Sequence, residues 1–537
     1  MATQGEEDTP QSKPLPGQVP NLAGGFTWEV DDMKRLHRFL CLGSEGGTYY
    51  IGERKLGRQN AEAVLRLIAS GKGTKVVKEV VEFSVEGRAA KQDPIIFTLA
   101  LCAREKDPDT KKAAYEALNK VCRIPTHLFA FVDFCEGLSA GTGWGRAHRR
   151  AICEWYNSKQ PKSLAVAVTK YKNRGGWAHL DLLRLAHIKP TNDGVACVCR
   201  YVVKGMEECR TEFTGKSPEI DKTLAFLEAV EAAKTADEAT IISFIHEFGL
   251  VREHVPTTHL NSENVWAALL KNMPMTAMIR NLGKMSAIGL LKPLSQHTTL
   301  VCNRLGDEDL LRKARIHPFN VLVALKTYES GKGDRGKLKW EVNQPIVEAL
   351  DSAYYLSFKF VEPTGKRFLL AIDVSGSMGG YKVMGSNSLT ARVASAAMAM
   401  VTARTEANYH MVGFSDVLVP LKIHAKMTLS EVIRTIEKVP MGSTDCAQPM
   451  IYAKENKLNV DVFIVYTDNE TWAGRIHPAQ ALKQYREATG IDARLIVCAM
   501  CSTEFTIADP NDAGMLDMAG FDSAAPEVIR SFASGEI

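Results

Sequence analysis

Long apolar runs are missing from this 537-residue chain. Its most apolar stretch, 393–403, lies between Arg392 and Arg404 and is shorter than the roughly 20 residues a bilayer-spanning helix needs. The opening MATQGEEDTPQSK is polar and acidic and holds no secretion-signal core. No membrane partner is therefore expected. A disulfide framework is missing too: the twelve cysteines are scattered, and reduced thiols in a cytoplasmic setting are expected, with nuclear residence left open. Cys498 and Cys501 have redox spacing, but no helix follows them and no second pair gives zinc spacing. They read as buried free thiols, as do Cys197, Cys199 and Cys209. A phosphate loop is almost spelled at 331–338, yet Leu338 stands where Ser or Thr must hold Mg²⁺, and a helix-like stretch precedes it instead of a strand. His127, His187 and His317 each sit near a proline-marked helix break, where a lone histidine is more often a hydrogen-bonding residue than a catalyst. No nucleophile, base and orienting acid can be assembled, so the chain does not read as an enzyme.

What is present is ample for two or more domains. Hydrophobic residues make up 45% and charged residues 24%, as in globular proteins. The net charge of +4 conceals an asymmetry. From Lys366 onward there are 16 basic and 19 acidic residues, whereas the slice 141–210 alone holds 13 basic and 5 acidic ones. Such a concentration on a folded segment is the footprint of a polyanion binder.

Residues 1–22 are rich in Pro, Gly, Gln and acid and are expected to form a flexible tail. From Asp31 to about Ala353 the apolar pattern is helical again and again. Met33, Leu36, Phe39 and Leu40 share a face, as do Ala61, Val64, Leu65 and Ile68. Further helices are expected around 76–81, 95–102, 113–121, 224–233, 241–248, 265–270 and 321–325. So many helices with short connections suggest stacked helical pairs rather than one bundle, in a module spanning 23–363. Beyond the Val361-Glu362-Pro363 boundary, strands at 368–372, 411–414, 462–466 and 495–499 alternate with helices at 388–402, 429–437, 479–488 and 526–533. That alternation predicts an α/β doubly wound domain over 364–537.

Three loops of this second domain offer hard oxygen donors. Asp373, Ser375 and Ser377 follow the first strand as Asp-x-Ser-x-Ser; Thr444 lies in a Gly-Ser-Thr-Asp loop; Asp468 ends another apolar strand. A carboxylate and hydroxyls at strand ends suit Mg²⁺ or Mn²⁺, and strand ends are where open α/β sheets bind ligands. Mg²⁺ is the expected ion.

In the basic slice, Arg146, His148, Arg149 and Arg150 are followed by Lys170, Lys172, Arg174, Arg184, His187 and Lys189. If a helix from Leu164 continues to Arg174, Lys170 and Arg174 share a face. Arg and Lys neutralise phosphates, and the interleaved Trp144, Tyr171 and Trp177 could stack on bases or belong to the core. Lys170, Arg174 and His187 are the leading candidates for RNA contact, with Arg149, Arg150, Lys172 and Lys189 behind them. No DNA-reading motif such as a zinc finger is visible. A competing reading is a protein-interaction scaffold.

DVSGS, the Thr444 loop and TDNE resemble the metal-ion-dependent adhesion site of von Willebrand factor A domains. That resemblance implies that Asp373, Ser375, Ser377, Thr444 and Asp468 surround one divalent ion, completed by a partner's acidic group. A basic helical module before such a domain, with stretches such as AVAVTKYKNRGGWAHLDLLRLAHIKP, ARIHPFNVLVALKTY and IADPNDAGMLDMAGFD, resembles the protein cores of Ro ribonucleoproteins. The resemblance implies a TROVE module of HEAT-like helical repeats closed into a ring with a basic central hole. It further implies small noncoding Y RNAs on the outer surface, single-stranded ends of misfolded noncoding RNAs passing through the hole, and a role in RNA quality control.

Overall fold

The computed structural model describes residues 11–139, 141, 143–333 and 336–537. From Asp32 to Leu356 helix follows helix, and most of the expected apolar faces are inside: Leu36, Phe39, Leu40, Val64, Ile95, Leu99, Leu118 and Val321 are buried, whereas Leu65, expected on the face of Val64, is exposed. Local chemistry sets the helix starts. Asp31, Asp107, Asn192 and Ser217 each accept the backbone N–H three residues on, which satisfies a donor with no partner inside the helix. Proline opens the helices Pro108–Val121, Pro125–Gly137, Pro161–Lys170, Pro218–Ala232 and Pro318–Glu329, at the one turn where its missing N–H is harmless. The near-phosphate loop does follow a helix, Pro318–Glu329; its Asp334 and Arg335 lie outside the described residues.

The last third is built on a six-stranded sheet: β1 (Arg367–Asp373), β2 (Asn408–Phe414), β3 (Leu418–Pro420), β4 (Val462–Thr467), β5 (Arg494–Ala499) and β6 (Met515–Ala519). Its order is β6-β5-β4-β1-β2-β3, parallel except for the edge strand β3. Period-two alternation divides two cores. Phe368, Leu370 and Ile372 of β1, with Ile464 and Tyr466 of β4, face a core continuous with that of the helical region. Leu369, Ala371, Phe463 and Val465 face a second core under Leu482 and Tyr485. Both faces are covered, which is why these strands read as unbroken apolar runs. The chain moves from β1 to β2 on one side and returns to β4 on the other, so the switch point falls at the carboxyl ends of β1 and β4.

The expectation of a flexible tail over 1–22 needs correction for the part that is described. Val19–Pro20 pairs with Phe26–Glu29, which pairs in turn with Phe505–Thr506 of the sheet domain. Gln11 is fully buried there. Polar composition hid this, because the segment is held by hydrogen bonds rather than by apolar burial.

The helical region also touches itself and the sheet domain at its far end. Arg315 Nε donates to Val85 O at 2.7 Å, and Asn320 Nδ2 to Ala90 O at 3.1 Å. The sheet domain meets the helix Gln344–Leu356, where Asp351 accepts from Leu429 N at 2.6 Å and from Arg404 at 3.3 Å.

Candidate metal centre and nucleic-acid interface

The five residues singled out for metal binding converge at the switch point, and all are buried: Asp373, Ser375, Ser377, Thr444 and Asp468. Asp373 ends β1. Its Oδ1 accepts Ser375 N at 2.9 Å and its Oδ2 accepts Thr467 Oγ1 at 2.6 Å. The Ser375 and Ser377 hydroxyls lie 3.3 Å apart. Gly376 N donates to Gly442 O at 3.0 Å, which draws the Thr444 loop against the β1 loop. Asp468 follows β4 directly, and its carboxylate interacts with the Ser377 hydroxyl.

Two buried carboxylates close together repel. Burial first, and the Asp468 charge second, push Asp373 up to about 7. Burial likewise raises Asp468. Among the described residues no basic side chain forms an ion pair with either. Unpaired buried carboxylates are costly unless a cation or proton compensates them. The donor set, two carboxylates and three hydroxyls, is hard oxygen throughout and fits a small divalent ion. No group of three or more His, Cys, Asp or Glu placed to hold a metal ion occurs among the described residues; in a metal site here, hydroxyls would supply what further carboxylates do elsewhere.

Sequence reasoning missed two contributors. Tyr50, in the loop after the first helix, lies near Ser377 and the Asp468 carboxylate, while Tyr49 lies against Gly380. Glu470, two residues past Asp468, is pushed up to about 8 by burial and by the Asp468 charge. TDNE did carry Glu470 in plain sight, whereas nothing in the sequence linked Tyr50 to a site more than 300 positions away.

The basic slice folds into the helix Arg146–Asn157, the helix Pro161–Lys170, a hairpin pairing Asn173–Arg174 with Trp177–Ala178, and the helix His179–Ala186. The helix from Leu164 stops at Lys170, so Lys170 and Arg174 do not share a helical face. Tyr171 leaves helical geometry (φ −116°, ψ 75°), and its carbonyl accepts from the buried His179 ring at 2.9 Å. Arg149, Arg150, Lys172, Arg174, His187 and Lys189 are all exposed. None of them has an ion-pair partner within 4 Å among the described residues. Lys170 differs: its side chain is only 16% exposed, 4.0 Å from Glu253 and 5.0 Å from the Tyr171 ring centroid. Lys170 also lines a cavity of about 70 Å³ with Leu250, Glu253, Met273 and Asn281. His187 closes its helix in the left-handed region (φ 53°). The tryptophans are half-buried. Trp144 and Trp177 lie 6.2 Å apart, and Trp177 Nε1 donates to Asp133 at 3.3 Å.

The other candidates are structural. His317 is buried between Arg88 O and Phe319 N, at 3.1 and 3.2 Å. Burial lowers His127 to about 4. All twelve cysteines are unpaired, and burial raises both Cys498 and Cys501.

A helical module joined to a von Willebrand A-type sheet, with Asp-x-Ser-x-Ser at its switch point, defines a TROVE and von Willebrand A two-part protein. Residues 19–327 match the TROVE domain and residues 367–533 match the Ro60 vWA domain. The chain is 40% identical to the RNA-binding protein RO60 of Caenorhabditis elegans, over 97% of this chain and 91% of that one. It is 39% identical to the RNA-binding protein RO60 of Deinococcus radiodurans, over 97% and 96%. The crystal structure of the Deinococcus radiodurans RO (RSR) protein superposes with a TM-score of 0.68 at 38% identity, covering 94% of this chain and 100% of that one. This chain belongs to the Ro60 family.

Proposed function

We propose that the protein binds RNA through the 146–189 surface, as a binding protein rather than a catalyst. The observation that carries this reading is the set of exposed cations without ion-pair partners among the described residues: Arg149 and Arg150 on one helix, Arg174 on the hairpin, and Lys172 and Lys189 in loops. Cations left free of carboxylates remain available to phosphates, and counterion release then drives binding. Lys170 and His187 flank this surface and complete the proposed contact set. The relatives' name, RNA-binding protein, supports the same reading.

The finer reading assigns small noncoding Y RNAs to the outer surface and the single-stranded ends of misfolded noncoding RNAs to a central hole, in RNA quality control. It requires the helical module to be a HEAT-like ring. The hydrogen bonds from Arg315 and Asn320 to the 85–90 segment support closure, since they join late and early helices directly. A hole that excludes a duplex would select RNAs by a free end rather than by sequence. The protein is expected to act in the cytoplasm, with nuclear residence left open.

In the sheet domain, Asp373, Ser375, Ser377, Thr444 and Asp468 would hold a divalent ion, Mg²⁺ by preference. The ion would neutralise two buried carboxylates and accept one more hard ligand from outside. A second reading, a metal-dependent protein-interaction scaffold, is favoured by the collar of that site: Tyr49, Met441 and Trp472 are 59%, 59% and 40% exposed. An acidic protein partner with apolar flanks would suit both features.

The deciding experiment titrates nucleic-acid-free protein with two labelled RNAs of equal length at several salt concentrations. One is a blunt stem-loop and the other carries a single-stranded 3′ extension. Tighter, salt-dependent binding of the extended RNA is expected. Equal binding of both would reduce the reading to a general basic surface, and binding of neither would favour the scaffold.

A further inference from the structure

The segment 11–25 lies across the two loops that carry Thr444 and Asp468, and its contacts are made by side chains as well as backbone. The buried Gln11 carboxamide is the knot. Its Nε2 donates to Asp445 Oδ1 at 2.6 Å and to Ile476 O at 2.9 Å, while its Oε1 accepts from Thr471 Oγ1. Thr471 Oγ1 in turn accepts Cys446 N at 3.0 Å. The backbone adds Gln11 N to Gly474 O at 3.0 Å. Farther along, Asn21 Nδ2 donates to Thr471 O at 2.8 Å, and the N–H groups of Leu22 and Ala23 donate to Glu470 Oε2 at 2.8 and 3.0 Å. The two loops are also joined directly, since Trp472 N and Ala473 N both donate to Thr444 O.

Two glycines admit this closeness. A Cβ on Gly25 would sit 2.0 Å from Thr471 O, and one on Gly474 would sit 2.3 Å from both Asp445 Oδ1 and Gln11 Nε2. Side chains at either place would push the strap off the loops.

We propose that the 11–25 strap is a working part of the metal centre, with Gln11 as a positioning residue that holds the Thr444 and Asp468 loops at ligating distance from one another. The inference rests on the metal reading of the site. A small divalent ion demands closely placed donors, and residues that fix ligands from behind commonly alter metal affinity 10- to 100-fold when removed. The strap therefore makes metal occupancy of the sheet domain depend on the chain's distant N-terminal segment.

The test compares wild-type protein, Gln11→Ala, and a variant lacking residues 1–24. Mn²⁺ affinity is measured by electron paramagnetic resonance, and bound Tb³⁺ is probed for its number of coordinated waters by luminescence lifetimes in H₂O and D₂O. Gln11→Ala should weaken Mn²⁺ binding about tenfold, and bound Tb³⁺ should gain one water as Thr444 withdraws. A synthetic 11–24 peptide should restore affinity to the shortened protein, which general loss of stability would not allow. Normal Mn²⁺ binding by wild type with equal affinity and hydration in both variants would overturn the strap's role alone. Failure of wild type to take up Mn²⁺ would overturn the metal reading and this inference with it.

Discussion

Arg38, in the helix Asp32–Leu42, is buried against Asp517 on β6, with its two remaining hydrogen bonds going to the carbonyls of Thr503 and Phe505 at 2.7 and 2.8 Å. The guanidinium is 1% exposed and the carboxylate 3%. This pair ties the first helix to the edge of the sheet. Removing one member leaves the other charge buried and alone, which costs about 3–5 kcal/mol. Arg38→Ala should therefore lower the thermal midpoint clearly, as read by calorimetry. Replacing both by apolar residues, Arg38→Met with Asp517→Leu, should cost less than either single change, because no orphan charge remains. A double variant as unstable as the worse single variant would show that the carbonyl contacts, not the charges, dominate.

The contribution of two buried histidines to stability should fall as solutions are acidified from about pH 6.5 towards 4, while that of the raised carboxyls of Asp373 and Glu470 grows over the same interval. Burial lowers His317 to about 4, and burial followed by the Lys170 and Lys172 charges lowers His254 to about 4. Both rings accept a backbone N–H at Nδ1, His317 from Phe319 and His254 from Val251, so protonation removes an acceptor. Between the folded value and the ordinary value near 6.5, these rings bind more protons in the unfolded chain than in the folded one, and their contribution rises with pH. It is complete above about 6.5, shrinks as pH falls, and is exhausted below about 4, with a ceiling on the order of 3 kcal/mol for each ring. Denaturant titrations at pH 7.5, 6 and 5 measure the slope. His317→Gln should make it less positive, and an unchanged slope would place the titrating group elsewhere.

On the RNA side, Lys170→Ala with Arg174→Ala should weaken binding of a structured small RNA and make the log-affinity versus log-salt line shallower by about two if both contact phosphates. The two residues need not behave alike. Arg174 is exposed on a hairpin, whereas Lys170 is largely covered beside Glu253. Arg174→Ala alone should carry most of the salt effect. Filter binding across a salt series separates them, and a parallel line for the double variant would take both off the interface.

The sheet domain was largely legible because its strands are covered on both faces, so each is an unbroken apolar run ending at a polar loop. Asp373 and Asp468 stood out for that reason. The helix Leu429–Glu437 falls where the sequence placed it, since Thr428 and Glu431 form a reciprocal cap at its start. The short strands β3 and β6 escaped notice: Leu418–Pro420 has only three residues, and Met515–Ala519 mixes an Asp into its run. That Asp517 is the partner of Arg38, a long-range pairing no local pattern reveals. Gln11 and Tyr50 escaped for the same cause, being polar residues whose meaning comes from contacts hundreds of positions away. Lys170 and Arg174 illustrate the opposite error. Their spacing of four suggested one helix, but the chain turns at Tyr171 to let its carbonyl meet His179.

Metal and RNA should prove separable. Asp373 lies at the end of β1 with both oxygens engaged by Ser375 N and Thr467 Oγ1, and the basic surface is built wholly from 146–189, in the helical module. Asp373→Ala should abolish Mn²⁺ binding, since it removes one of only two carboxylates in the donor set. It should leave the affinity and salt dependence for a structured RNA within about twofold of wild type, a difference well under 1 kcal/mol. In metal-free protein, the alanine variant should also be no less stable than wild type, because it relieves the burial of a carboxyl and, second, the Asp468 repulsion that together lift Asp373 to about 7. Chelator-treated samples compared by calorimetry test that point. If metal removal or Asp373→Ala weakened RNA binding tenfold, the two halves would be coupled and the separable reading overturned.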